Sequence, residues 1–202
     1  MEKVFGIEGR IFSTLAKIFD LLMLNIVFLI GCLPIVTIGA SMTALYSVTL
    51  KMVRDEECYV VKDFWSSFKK NLKQSSIFWL AALFGLTSFI FLAQAIVHTN
   101  NTLVLFPLLF LVTVSVLTFM YVFPLIAKFE NSSFHILKNA FFMCLHSTAY
   151  SIILFMITIF FVGLIPIYFP KLLFIWLFLG FSGPAFVKSF LFEKIFNNYV
   201  KK

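Results

Sequence analysis

The residues of this chain that could do chemistry are few, and they lie far apart in the sequence. Asp20 is the one acid well inside an apolar run, with Lys17 before it on the same helical face and Asn25 after it. A charge at membrane depth is costly. Asp20 is therefore either a functional group or an acid near the membrane boundary that pairs with Lys17 or caps another helix.

The histidines and cysteines form no motif of a metal site, a disulfide framework or a nucleophilic triad. They are scattered singly, at His98, His135, His146, Cys32, Cys58 and Cys144. The chain also lacks a phosphate-binding loop and the "EAA…G" segment of importer permeases. The sequence thus predicts a protein that has no cofactor and is not an enzyme, and it argues against the pore subunit of an importer.

The apolar content of the chain indicates that lipid is its main solvent. Of the 202 residues, 61% are hydrophobic and 12% are charged, whereas soluble domains carry about twice that charged fraction. A short soluble chain cannot hide so much apolar surface. No hydrophilic block is long enough for a separate soluble domain, so residues 1–202 are predicted to form a single membrane domain.

Hydropathy predicts an all-α membrane bundle of about six transmembrane helices in three hairpins, since backbone groups in hydrocarbon must bond within their own segment. The predicted spans are residues 13–33, 38–53, 76–97, 103–128, 149–169 and 171–192. Two longer loops, residues 54–75 and 129–148, separate the hairpins.

The basic residues predict how the bundle is oriented. Of the 16 Lys and Arg residues, all but Lys171 fall near the termini, in the two longer loops or at adjoining helix ends. Those of the C-terminal region are Lys188, Lys194, Lys201 and Lys202. The positive-inside rule then places both termini and both loops in the cytoplasm. The net charge of +7 reflects this topology and attraction to anionic membrane lipids, not nucleic-acid binding.

Each longer loop contains a segment with the pattern of a short interfacial helix. In residues 63–73 an apolar face with aromatic rings lies opposite a face rich in lysine. The residues predicted to contact the membrane interface or a partner are Phe64, Trp65, Phe68, Lys69, Lys70 and Asn71. Residues 131–147 repeat the pattern more weakly.

The first hairpin is the most polar of the three, with Asn25, Thr37 and Tyr46 among its polar side chains. Pro34 and Gly39 indicate a tight external turn, since proline does not continue the helix bonds and glycine lets the backbone bend or approach closely. Small and hydroxyl residues allow close helix packing, but they also line substrate paths. Both interpretations stay open.

The segment DLLMLNIVFLIGCLPIVTIGASMTALYSVTLKMVRDEE, followed by DFWSSFKKNLKQS, resembles the YesL-like family of bacterial integral membrane proteins. The family pattern is an Asp and a Leu-Asn, then Leu-Pro-x-x-Thr-x-Gly, then Ala-Leu-Tyr, and then Phe-x-x-x-Phe-x-x-Asn. It falls here on Asp20, Leu24, Asn25, Leu33, Pro34, Thr37, Gly39, Ala44, Leu45, Tyr46, Phe64, Phe68 and Asn71. The later segment VFPLIAKFENSSFHILKNAF looks similar too.

The YesL-like family is a domain of unknown function whose members often accompany carbohydrate ABC importers in Gram-positive bacteria. The resemblance implies an accessory or regulatory membrane subunit for sugar uptake in the bacterial cytoplasmic membrane, with an ABC sugar permease and its ATPase subunit as partners. Two alternatives are a small stand-alone transporter or channel, and a membrane protein of cell-envelope polysaccharide metabolism.

Overall fold

The chain is built from α-helices. The computed structural model describes residues 10–98, 105–168, 171, 176 and 178–200, and over these ranges it contains helices and turns but no strand. The predicted all-α class is therefore confirmed, as is the helical bundle.

The helices follow one another through short connections. They are α1 (Arg10–Gly31), a 3-10 turn (Ile35–Thr37), α2 (Ile38–Val53), α3 (Val60–His98), α4 (Leu105–Lys128), α5 (Ser133–His146), α6 (Thr148–Thr158), a π-helical segment (Ile159–Leu164), α7 (Ile165–Tyr168) and α8 (Ser182–Val200). The π-helical segment joins α6 to α7 without a break, so these elements act as one long helix.

Within the described ranges, 5 helical stretches are long and apolar enough to cross a membrane. They are Thr14–Gly31, Ile35–Val53, Val60–Ile96, Phe106–Lys128 and Thr148–Tyr168. The chain is therefore a membrane protein. The predicted sixth span, residues 171–192, lies partly outside the described residues; its described end belongs to α8, which continues to Val200.

One predicted boundary is wrong. Residues 63–73 do not form a separate interfacial helix, because they are the first part of α3, which runs for 39 residues from Val60 to His98. At 1.5 Å per residue this helix is about 57 Å long. No proline or glycine interrupts the sequence between Val60 and Phe84, so nothing breaks the helical hydrogen bonds. The helix predicted in the second loop is present as α5.

The core of the bundle lies at one end, where α2 ends, α3 begins and α4 ends. Phe192 of α8 is fully buried there and contacts the rings of Tyr46 and Tyr121 edge to face, each with a centroid distance of 5.5 Å. Ion pairs surround this core, namely Lys17–Asp55, Lys51–Asp63, Lys70–Glu130 and Lys128–Glu193. We call this part of the molecule the lysine-rich end.

The other end of the bundle is open. In α3, no residue from 80 to 96 is buried, and in α4 none from 106 to 117 is buried. These two stretches, called here the distal segments, are apolar and project beyond the packed core. Such surface is stable in lipid or against another apolar surface, but not in water.

Candidate functional site

Asn25 joins the first helix to the last. Its side chain is fully buried, and its Oδ1 accepts hydrogen bonds from the backbone N–H groups of Phe181, at 3.2 Å, and Ser182, at 2.9 Å. The first N–H groups of a helix have no partner within the helix. Asn25 therefore supplies the N-terminal cap of α8 from a residue more than 150 positions earlier in the chain.

The predicted pairing of Lys17 with Asp20 is not what the structure shows. The Lys17 ammonium instead binds the Asp55 carboxylate at 2.8 Å, in the connection between α2 and α3. Asp55 has a φ of 52°, in the left-handed region. Asp20 lies close enough to the Cys58 thiol to affect it electrostatically. This places Asp20 near the lysine-rich end of the bundle.

The turn between α1 and α2 is held together by hydrogen bonds. The Thr37 hydroxyl donates to the carbonyl oxygens of Gly31, at 2.9 Å, and Pro34, at 2.8 Å. Trp79 of α3 donates from Nε1 to the Ile35 carbonyl at 2.9 Å. The polar residues of this turn thus fix its shape and attach it to α3.

Gly39 lies at a close approach of α2 and α3. A Cβ atom at this position would meet the carbonyl oxygen of Ser75 and would lie 2.7 Å from the Cβ of Trp79. One turn further along, the Thr43 and Ser75 hydroxyls form a buried hydrogen bond of 2.8 Å. Small and hydroxyl residues therefore permit direct contact between the two backbones, as in other membrane helix pairs.

A second buried hydroxyl pair joins α2 to α8. Thr49 and Ser189 lie 2.8 Å apart, and each hydroxyl also bonds a carbonyl of its own helix. The hydroxyl groups of the first hairpin thus take part in helix packing. This favours the packing interpretation of its polarity over the substrate path.

The predicted contact residues of 63–73 have different environments. Phe64 and Phe68 are buried in the core of the protein, and Trp65 is partly buried against them. Their aromatic face therefore packs on the protein and is not free to contact lipid head groups or a partner. The amphipathic pattern is visible in the sequence. The sequence does not show whether the apolar face is covered by lipid, by a partner or by the rest of the protein.

The polar members of this segment lie on the outside. Lys69 and Lys70 are exposed, and Lys70 pairs with Glu130 in the connection between α4 and α5. Asn71 donates to the Ser67 carbonyl at 3.0 Å, within its own helix. Lys69 and Lys70 are the predicted contact residues that remain accessible.

The connections at the lysine-rich end contain two perturbed titratable groups. Burial, together with the neighbouring Asp63 carboxylate, raises the pKa of the Cys58 thiol to about 11. A hydrogen bond from the positively charged Lys70 holds the pKa of Glu130 below its usual value. In the described parts of the chain, no group of three or more His, Cys, Asp or Glu side chains could hold a metal ion.

The position of Lys188 differs from the one predicted by the charge distribution. The positive-inside rule predicts that it reaches the cytoplasm, but it is 8% exposed and lies inside the bundle. Its ammonium lies 3.4 Å from the Thr158 hydroxyl and 5.7 Å from the centroid of the Tyr46 ring. Its position inside the predicted span 171–192 was the signal that could have revealed it.

Lys188 lies beside a large apolar cavity. The cavity has a volume of about 640 Å³ and lies between the distal segments of α3 and α4. Its lining includes Gly85 and Phe89 of α3, Phe119 of α4 and the predicted site residue Tyr46. Helices α2, α3, α4, α6 and α8 therefore build the cavity together, which no local sequence motif could show.

The arrangement defines a helical membrane protein with a packed polar end and an open apolar end. Residues 21–93 match the sequence model of a family described as protein of unknown function, DUF624. The YesL-like family is a DUF624 family, so the resemblance predicted from the sequence is confirmed over these residues. Comparison with curated proteins and with solved structures finds no match to the chain.

Proposed function

We propose that the protein is an accessory or regulatory membrane subunit of a bacterial carbohydrate ABC importer. The resemblance to the YesL-like family, matched over residues 21–93, supports this class of function. In this proposal the chain lies in the cytoplasmic membrane with both termini and the lysine-rich end in the cytoplasm, and it performs no catalytic step.

One face of α3 is the observation that carries the proposal. Most residues in this part of α3 are exposed, and those along this face, at alternating spacings of three and four, are all exposed: Ile77, Leu80, Phe84, Thr87, Phe91 and Gln94. We call this set the α3 stripe. Phe84 and Phe91 are 75% and 73% exposed. Such spacing is typical of a helix that packs along another helix, and no described helix of this chain covers the stripe.

The proposed partner for the α3 stripe is a transmembrane helix of the sugar permease. Helix association in membranes depends on shape and on polar side chains that bond across the contact, and Thr87 and Gln94 place such groups within the stripe. At the lysine-rich end, Lys69 is exposed on the same long helix and would face the ATPase subunit from the membrane side. α3 would thus contact both parts of the importer.

Affinity capture from the native membrane tests this function. The protein is expressed at its natural level, extracted in mild detergent and assayed for permease and ATPase subunits. A Phe84→Ala/Phe91→Ala variant should retain about tenfold less permease, because two exposed aromatic side chains at the centre of a contact carry much of its energy. A matched variant, Ile152→Ala/Phe160→Ala, removes exposed apolar side chains of α6 and its π-helical continuation and should retain the partner. Capture of the unaltered protein without any importer subunit would overturn the proposal.

The alternative of a stand-alone transporter has less support. Its proposed path followed the polar first hairpin, where the Thr43 and Thr49 hydroxyls are bonded to Ser75 and Ser189. No described residue pair suggests the acid–base chemistry of polysaccharide synthesis. The accessory role is therefore the better-supported function of the protein.

A further inference from the structure

The buried position of Lys188 requires an explanation that helix packing does not supply. Removing an ammonium group from water is costly unless an opposite charge or several hydrogen bonds compensate. Across the described ranges, no carboxylate lies within 4.0 Å of its Nζ. The long hydrogen bond to Thr158 and the Tyr46 ring are weak compensation for a full charge.

Lys128, a partly buried lysine of the bundle, has a fully compensated charge. Lys128 donates to both carboxylate oxygens of Glu193 at 2.8 Å. Glu193 lies five residues after Lys188 on α8, which corresponds to about 7.5 Å along the helix. Lys188 therefore lies one and a half helical turns further from the lysine-rich end, at a depth where the surroundings of the bundle are apolar.

The cavity beside Lys188 has the shape and chemistry of a chain-binding groove. Its volume of about 640 Å³ is within the usual range of ligand sites. Its walls are mainly apolar side chains of α3 and α4. Several of these, including Leu86, Leu92 and Leu111, are at least half exposed, so the groove opens sideways between the two distal segments. An occupant would enter from the bilayer and not from water.

We propose that this groove binds one anionic phospholipid of the surrounding bilayer. An acyl chain would lie between the distal segments, and the phosphate would accept hydrogen bonds from the Lys188 ammonium. The Thr158 hydroxyl is beside the same position. The positive charge of Lys188 favours an anionic group, and the apolar walls favour an acyl chain. The lateral opening admits a molecule that is already in the membrane. A phosphate would give the buried ammonium the compensation that Glu193 gives to Lys128.

Native mass spectrometry of the protein from nanodiscs tests the proposal. The nanodiscs contain equal amounts of phosphatidylglycerol and phosphatidylcholine. The unaltered protein should retain one phosphatidylglycerol in preference to phosphatidylcholine. Lys188→Met should reduce this preference about tenfold or more, since a charge-assisted contact is lost, and Lys188→Arg should keep it. Lys194→Met is the matched control, because Lys194 is an exposed lysine of the same helix.

A second pair of variants tests the groove without changing any charge. A Cβ at Gly85 would meet nothing within 4 Å, so Gly85→Leu fits its helix and fills the groove that Gly85 lines. It should prevent retention of the lipid. Gly163→Leu has equally open surroundings away from the cavity and should retain it. An unchanged preference in both Lys188→Met and Gly85→Leu would overturn the proposal, as would retention of added oleate in place of phosphatidylglycerol.

Discussion

At the scale of single residues, Asn25 shows how a polar side chain in an apolar helix can be structural. Its carbonyl oxygen accepts from two N–H groups at the start of α8, and its side chain is fully buried. The family pattern contains this asparagine, but a sequence gives no indication of a cap that joins residues so far apart. The sequence likewise gives no indication that the Thr49 and Ser189 hydroxyls form a pair.

Replacing Asn25 with leucine should loosen the start of α8. The variant leaves the buried N–H of Ser182 and the partly buried N–H of Phe181 without their acceptor, and a buried unsatisfied donor costs about 1–3 kcal/mol. Hydrogen–deuterium exchange of the amides near Ser182 should become faster, and the unfolding temperature in detergent should fall. Asn197→Leu, at an exposed position of the same helix, should change neither. Unaltered exchange in Asn25→Leu would show that the cap does not stabilise α8.

Cys58 should be an unreactive thiol at neutral pH. Because its pKa is raised to about 11, the reactive thiolate is scarce at pH 8 and becomes abundant only as the pH approaches 11. In a Cys32→Ser/Cys144→Ser background, alkylation should therefore be much slower than that of a free cysteine and should rise steeply with pH. Asp63→Asn should accelerate it, since the Asp63 carboxylate disfavours the thiolate. Rapid alkylation at pH 7 would contradict the assigned environment.

At the scale of elements, α3 decides most of the architecture. Its first part packs with α2 at the lysine-rich end, and its distal segment projects beyond the core. Hydropathy predicted two separate segments within this helix, because the lysines of residues 62–73 resemble those of an interfacial segment. Helical continuity depends on uninterrupted backbone hydrogen bonds, and a change from polar to apolar side chains does not break them.

The contact of α2 with α3 should tolerate no side chain at Gly39. In Gly39→Ala the added methyl group meets the backbone of Ser75 and the Cβ of Trp79, neither of which belongs to a flexible chain end. Overpacking of this kind costs about 1–3 kcal/mol, so thermal unfolding in detergent should occur at a lower temperature. Gly85→Ala, where a Cβ meets nothing within 4 Å, should not lower the midpoint, because alanine favours the helix more than glycine does. Equal stability of the two variants would refute the close contact.

In the molecule as a whole, the charged residues and the packed core lie at the same end. The ion pairs and the core are at the end that the positive-inside rule assigns to the cytoplasm, while the distal segments hold the uncovered apolar faces. Charge distribution could be predicted because it depends on composition along the chain. The cavity and the position of Lys188 could not be predicted, since they depend on how α2, α3, α4, α6 and α8 are arranged in space.

Reporter fusions should confirm the orientation. Green fluorescent protein attached after residue 202 should be fluorescent, because it remains in the cytoplasm, and alkaline phosphatase at the same point should be inactive. Alkaline phosphatase fused after His98, at the end of α3, should be active on the outer side. The opposite pattern would invert the proposed topology and would remove Lys69 from any contact with an ATPase subunit.

Photo-crosslinking from the α3 stripe in living cells tests the proposed importer association most directly. A photoreactive amino acid at Phe91, which is 73% exposed, should form a crosslink to a permease subunit of a carbohydrate ABC importer. The same amino acid at Ile152, which is exposed on α6, should not. Crosslinks from Phe91 that reach only lipid or a second copy of this chain would contradict the central claim that α3 docks on an importer.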